Sequence, residues 1–338
     1  MTFEQVAIEH IAYELPALAM SSTAIEKALS PLYERVGITP GWLEEITGIR
    51  ERRVWEEDVR PSDVATRAAK KALDQTGLDP NEIDVLVSCS VCRDYLEPSV
   101  ACLVHGNLGL KPSCLNFDVG NACLGFLTGM QVVANLIEAG QVRAGMVVAG
   151  ESSRQVLQST INLLIKPEST SASWRDHMAT LTLGSGAVAM VMRRLEDSRT
   201  GHRYLGGLSR AATQHSRLCV GTESWMTTDP AKLLKEGVAL AKRTWTEAIA
   251  VQGWDPARCA ELAMHQVGKA NHDAVLRTVG FPAERALRIY PQLGNVGAAG
   301  APLTLALAAE QGRLRTGDLT AMFGIGSGLN VSLVRVIW

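Results

Sequence analysis

The sequence contains no apolar run approaching the ~18 residues that a membrane-crossing helix needs, which excludes a helical membrane protein. Its opening stretch, "MTFEQVAIEHIAYELPAL", carries acidic residues and no basic segment ahead of an apolar one, so no secretory signal peptide is expected there. Charge of one sign is missing too. Lys and Arg number 33 against 35 Asp and Glu, a formal net charge of −2, which provides no electrostatic footprint for nucleic acid or an anionic membrane. The seven cysteines, at 89, 92, 102, 114, 123, 219 and 259, are odd in number and scattered, so a disulfide framework is not expected. Cys89 and Cys92 form a lone CxxC without the second pair that a zinc site needs, and both read as structural. These absences predict a cytoplasmic protein with reduced thiols and no metal centre.

What is present is ordinary globular material: 338 residues, 46% hydrophobic, enough for two domains or one large fold of two halves. Short apolar runs, "IDVLVSCS" (83–90), "GMVVAG" (145–150), "AVAMVM" (187–192) and "LNVSLVRVI" (329–337), read as strands. Longer segments, "PSDVATRAAKKALDQTG" (61–77) and "CLGFLTGMQVVANLIEAG" (123–140), have helical spacing and a terminal glycine stop. The class is α/β. The chain also repeats itself. "ALDQTGLDPNEIDVLVSCS" (72–90) resembles "AIAVQGWDPARCAELAMHQ" (248–266) at an offset of 176, and "EAGQVRAGMVVAG" (138–150) resembles "EQGRLRTGDLTAMFG" (310–324) at 172. Two nearly equal offsets predict a duplicated unit, with the halves, 1–200 and 201–338, meeting near 195–210.

The duplication carries a geometric expectation. Shifted by the offset, Cys123 falls near 295–299 and Cys89 falls on His265, so Cys123, His265 and Asn295 are expected to share a pocket at the strand ends. Cys123 stands between the turn "GNA" and an apolar helical run. A helix N-terminus favours a thiolate there without a tightly paired base, yet on spacing alone nucleophile and buried filler stand level. His265, in "AMHQVGKANHD", has a sequence context that the other six histidines lack, although a lone histidine commonly serves only as a satisfied surface or core residue. Asn295, between Gly294 and Gly297, is either a left-handed turn residue or, with His265, a donor to a developing enolate or oxyanion. In "FGIGSGLN" (323–330) a strand, not a helix, is expected to follow. The glycines therefore suit close ligand approach, with the amide of Ser327 as an oxyanion donor, better than a phosphate loop. Glu97 precedes a proline, and its default reading is a solvated glutamate.

"NACLGF", "HQVGKAN", "GNVGAAGAP" and "GIGSG", in this order and preceded by "TGIRERR", resemble the ketoacyl synthase III branch of the thiolase superfamily along nearly the whole chain. The resemblance implies two α/β halves in a five-layer αβαβα stack, a homodimer, and a triad falling on Cys123, His265 and Asn295. Within the branch, "SVCRDYLEPS" (90–99) and "GIGSGLNVSLVRVIW" are similar to the long-chain olefin thiolases, which join two fatty acyl-CoA molecules head to head. Those enzymes place a glutamate where initiation synthases place an aromatic. This implies that Glu97 crosses into the partner's site as the base for an unactivated α-carbon. Implied likewise are long-chain acyl-CoA substrates with no resident cofactor, a coenzyme A contact at Trp42 and a weaker one at Lys269. Downstream enzymes of a hydrocarbon or β-lactone pathway are the implied partners. Two departures stand out: Ile46 replaces the arginine expected four residues after Trp42, and Gly268 replaces an asparagine. Against this reading stand a decarboxylative synthase III or related acyltransferase, with Glu97 merely structural, and a noncatalytic partner subunit.

Overall fold

The strands Val85–Ser88, Ala144–Glu151 and Gly186–Arg194 are apolar runs buried on both faces, which is how strands covered on each side read in sequence. The computed structural model describes residues 2–338. In chain order the principal elements are β1 (Val6–Glu14), α1 (Pro61–Thr76), β2 (Val85–Ser88), α2 (Val100–Leu108), β3 (Leu115–Asp118), α3 (Gly125–Glu138), β4 (Ala144–Glu151) and β5 (Gly186–Arg194). They continue with β6 (His202–Ala211), α4 (Pro230–Gln252), β7 (Cys259–Met264), α5 (Lys269–Val279), α6 (Gly300–Glu310), β8 (Leu319–Gly326) and β9 (Asn330–Ile337).

Nine strands pair in the order β7-β8-β9-β6-β1-β5-β4-β2-β3. In the first half β2 runs parallel to β3 and β4, while β5 runs antiparallel to β4 and β1. In the second, β7 runs parallel to β8, and β9 runs antiparallel to β8 and β6. Strands β7, β8, β9 and β6 thus answer β2, β4, β5 and β1. Among the described residues, strands of the two arms pair with each other where β1 meets β6, at Ala7–Arg203 and Ile8–His202.

Alternation along the strands assigns the layers. Val85, Val87, Val147, Ala149, Val188 and Met190 pack inward on α3 and α6, together with Ala263, Met322 and Val334 of the other arm. Their neighbours Leu86, Met146, Val148 and Ala189 pack outward under α1 and α2. On the far side Leu262, Phe323 and Leu333 pack under α4 and α5. The five layers are therefore helix, sheet, helix, sheet, helix. Helix α6 is buried all round from Gly300 to Ala306, as a helix in the central layer must be. A separate apolar cluster joins the short helices Ser22–Ala28, Ser30–Val36, Trp42–Thr47, Arg154–Leu164 and Ser171–His177.

The unequal repeat offsets have a physical origin. Helices α3 and α6 both open on a glycine after a three-residue 3-10 turn, 175 positions apart (125 to 300). Helix α6 is three residues shorter, 11 against 14, so the offset at the helix ends falls to 172 (138 to 310). It returns to 175 at the next strand, from Glu151 to Gly326. The strand ends also match: Cys89 N–H donates to Val148 O and His265 N–H donates to Phe323 O, each at 2.8 Å.

Candidate active site

Cys123 lies in the 3-10 turn Ala122–Leu124 that leads into α3. Ala122 has φ 45°, in the left-handed region where its counterpart in the second half, Gly297, has φ 53°. A side chain held there costs of order 1–3 kcal/mol and persists only where the surroundings enforce it, which is typical of functional turns. The enforcement is visible: Asn330 Nδ2 donates to Asn121 Oδ1 at 3.2 Å, and Asn121 Nδ2 donates to Thr128 Oγ1 at 2.9 Å, tying the turn to β9 and α3. Gly125 admits the end of β2, since a Cβ there would stand 2.5 Å from Cys89 O.

At the sulfur the structure corrects the sequence-based expectation. A helix start argues for a thiolate, but burial pushes the Cys123 thiol up to about 12, and the nearby Cys219 and Glu151 push in the same direction. Desolvation by the surrounding protein outweighs the helix dipole, which acts over one turn at the helix end, even though Cys123 is only half-buried. The resting form is the thiol. Iodoacetamide alkylation of Cys123 should therefore climb about tenfold per pH unit from about pH 7 to about pH 10, because only the thiolate reacts. A plateau below about pH 8 would show the opposite, an already ionised sulfur.

His265 follows β7 directly and is 4% exposed. Glycine at position 300 makes room for it, since a Cβ there would stand 3.1 Å from Nδ1. Burial lowers its pKa to about 4, countered only slightly by the Gly297 main chain. The ring stays neutral above about pH 5, with one N–H donor and one acceptor nitrogen. Among the described residues, the Gly297 main chain included, no group meets either ring nitrogen with good hydrogen-bond geometry. Idle nitrogens on a buried ring are costly unless a ligand uses them. Asn295 is braced by its main chain, with N–H donating to Thr182 O and O accepting from Gly184 N–H, both at 2.8 Å. Its Oδ1 accepts from Gly297 N–H at 3.1 Å, so Nδ2 is the group left to donate. Ser327 lies in the turn between β8 and β9, next to Gly326, whose Cβ position would be 3.6 Å from the Cys123 amide nitrogen. Cys123, His265, Asn295 and Ser327 thus gather at the strand ends beside α3 and α6.

Two residues went unread in the sequence. Cys219, on the short strand Cys219–Gly221, hydrogen-bonds the Ser327 side chain. Glu151, the last residue of β4, is 3% exposed and accepts amides from two separate segments. A carboxylate directly after a buried strand was the available signal for Glu151; Cys219 offered none.

Glu97 is exposed on the single chain, unlike His265 and Asn295. It lies in the 89–99 loop between β2 and α2, exposed, and is joined to Pro98 by a cis peptide. The same loop exposes large apolar side chains, Leu96 at 89% and Val91 at 53%, and Leu115 at the start of β3 is 55% exposed. The neighbouring strand β3 is the last of the sheet, with one edge unpaired. Trp42 opens the helix Trp42–Thr47 and is 37% exposed, its ring 4.7 Å from that of Trp174. Lys269 opens α5, exposed, and its Cβ packs against Gly48 at the end of the Trp42 helix, so the two sequence-selected residues lie on touching elements.

A duplicated α/β plan with cysteine, histidine and asparagine gathered at the matching strand ends defines a condensing enzyme of the thiolase superfamily. The family described as 3-Oxoacyl-[acyl-carrier-protein (ACP)] synthase III matches residues 117–206, and its C-terminal description matches 249–338. The chain belongs to this family. It is 40% identical over 338 residues to the acyl-CoA:acyl-CoA alkyltransferase of Xanthomonas campestris, with both chains covered completely. To the protein of the same name from Shewanella oneidensis it is 41% identical over 351 residues, again with full coverage of both. The crystal structure of cerulenin-bound Xanthomonas campestris OleA superposes with a TM-score of 0.98 at 40% identity, covering 100% of this chain and 98% of that one. No helix among the described residues is long and apolar enough to cross a membrane.

Proposed function

We propose that this protein condenses two fatty acyl-CoA molecules without decarboxylation, through an acyl-Cys123 intermediate. The observation that carries the reading is the pairing of a half-buried Cys123 and buried His265 and Asn295 with an exposed carboxylate, Glu97, on an apolar face beside the open edge of β3. Such a face belongs to an interface. A symmetric pair of subunits meeting there would carry Glu97 of each towards the other's cysteine. The names of the full-length relatives support the same chemistry.

In the first half-reaction the Cys123 sulfur attacks the carbonyl of one acyl-CoA. The bond from that carbon to the coenzyme A sulfur breaks, and the thiol proton leaves with coenzyme A. Neutral His265 can carry that proton across. A second acyl-CoA then enters, and Glu97 of the partner subunit removes its α-proton. A malonyl substrate would generate its carbanion by losing carbon dioxide, but a plain acyl chain needs this base. The enolate oxygen is held by the His265 N–H and Asn295 Nδ2, for which a neutral imidazole suffices. The carbanion attacks the acyl-Cys123 carbon, whose oxyanion faces the amides of Cys123 and Ser327. Collapse expels the sulfur, which regains a proton from Glu97 of the partner subunit. The product is a 2-alkyl-3-ketoacyl-CoA, and hydrolysis converts it to the 2-alkyl-3-keto acid. Coenzyme A would lie across Trp42 and Lys269, and no further cofactor is needed.

Incubation with one long-chain acyl-CoA and no malonyl donor should give condensed product and one coenzyme A per acyl group transferred to Cys123. Turnover that appears only when a malonyl thioester is added would establish the decarboxylative reaction instead.

A further inference from the structure

Glu151 takes no part in the steps above, yet it is the most heavily bonded carboxylate near the site. Its Oε1 accepts from Val91 N–H at 2.9 Å and Ala298 N–H at 3.0 Å, and its Oε2 accepts from Cys92 N–H at 3.2 Å. Val91 and Cys92 belong to the loop that carries Glu97. Ala298 belongs to the turn after Asn295. Burial pushes the Glu151 carboxyl above its ordinary range, and the three amide donors work against that by favouring the charged form.

The duplication shows what this carboxylate occupies. Glu151 at the end of β4 answers to Gly326 at the end of β8, and Cys123 answers to Ala298, both pairs 175 positions apart (151 to 326, 123 to 298). In one half the strand-end side chain caps the N–H of the turn. In the other the strand end is glycine, so no strand-end side chain reaches the turn, although a Cβ at Gly326 would stand 3.6 Å from the Cys123 amide nitrogen. The same position is filled by a carboxylate in one half and by no side chain in its twin.

We propose that Glu151, seated in this twin site, is a positioning residue for condensation, holding the loop of Glu97 and the turn of Asn295 in one register. The inference rests on the reading above: a single carboxylate then sets both the donor a subunit uses itself and the base it lends its partner. Its charge has a second effect. The ionisable groups that act on the Cys123 thiol are Cys219 on its short strand and Glu151 on β4. Burial does most to raise the thiol, and Glu151 and Cys219 push in the same direction.

The test compares full-length wild-type protein with Glu151→Gln and Glu151→Asp, using myristoyl-CoA as the only substrate. Acyl-Cys123 formation is read by intact mass and condensation by product. Glu151→Gln should acylate within about threefold of wild type but condense about 10²-fold more slowly, as expected when reacting groups are misplaced by about 1 Å. With the buried charge gone, its iodoacetamide alkylation should run about threefold faster or more at a fixed pH, because a thiolate loses a like-charge neighbour. Glu151→Asp keeps the charge but is one methylene short of three amides, so it should condense slowly with alkylation unchanged. Equal losses in acylation and condensation, or normal condensation in both variants, would overturn the proposal. Faster alkylation in both variants would also overturn it, by pointing to loosened packing. Absence of condensed product from the wild-type protein sinks the functional reading itself, a result visible before any variant is made.

Discussion

Cys123→Ala is expected to leave a folded protein that takes up no acyl group from acyl-CoA and whose turnover falls roughly 10⁵-fold or more, the scale on which losing a nucleophile acts. Every later step depends on the acyl-sulfur bond, so no other residue can compensate. Folding should survive because the change removes one sulfur from a partly exposed turn that Asn121, Asn330 and Thr128 hold independently. Intact mass after exposure to acyl-CoA and a thermal melt decide the matter. A melting temperature within a few degrees of wild type together with an unmodified mass is the expected pair of results. Retained turnover would place the chemistry elsewhere.

Glu97→Gln should divide the reaction in two. Acyl-Cys123 forms at the wild-type rate, while condensation drops about 10²- to 10⁴-fold, the usual worth of a positioned general base. Stability should change by no more than about 0.5 kcal/mol, since the residue is exposed on the isolated chain. If Glu97 acts across a subunit boundary, mixing and exchanging the two inactive variants should restore activity. A hybrid dimer pairs an intact cysteine from one chain with an intact glutamate from the other. Half the dimers are hybrids with one working site of two, so about a quarter of the wild-type rate should return. No recovery after exchange would mean that Glu97 serves the cysteine of its own chain, or none.

The fold was legible because its signals are local. The helix over 61–77 became Pro61–Thr76 with Gly77 as its left-handed stop. The run at 187–192 lies inside β5. The repeat could be read at offsets of 176 and 172, and the structural values of 175 and 172 differ only because α6 is three residues shorter than α3. His265 and Asn295 were reachable through that repeat. What escaped was long-range. Glu151 acts on residues 91, 92 and 298, and no pattern in "GMVVAGESS" announces those partners. Cys219 reaches Ser327 from a distant hairpin. The protonation of Cys123 was misread because a helix terminus can be inferred from neighbours in sequence, whereas burial is a property of the assembled layers.

Strand β3 ends the sheet with its outer edge unpaired, beside the exposed side chains of Leu96 and Leu115. Should subunits join along it as proposed, that edge is a template for any extended chain until a twin arrives, so assembly and escape from aggregation become one competition settled by protein concentration. A dilute solution would then favour the lone, sticky subunit, and ligand-free stability would be a property of the pair.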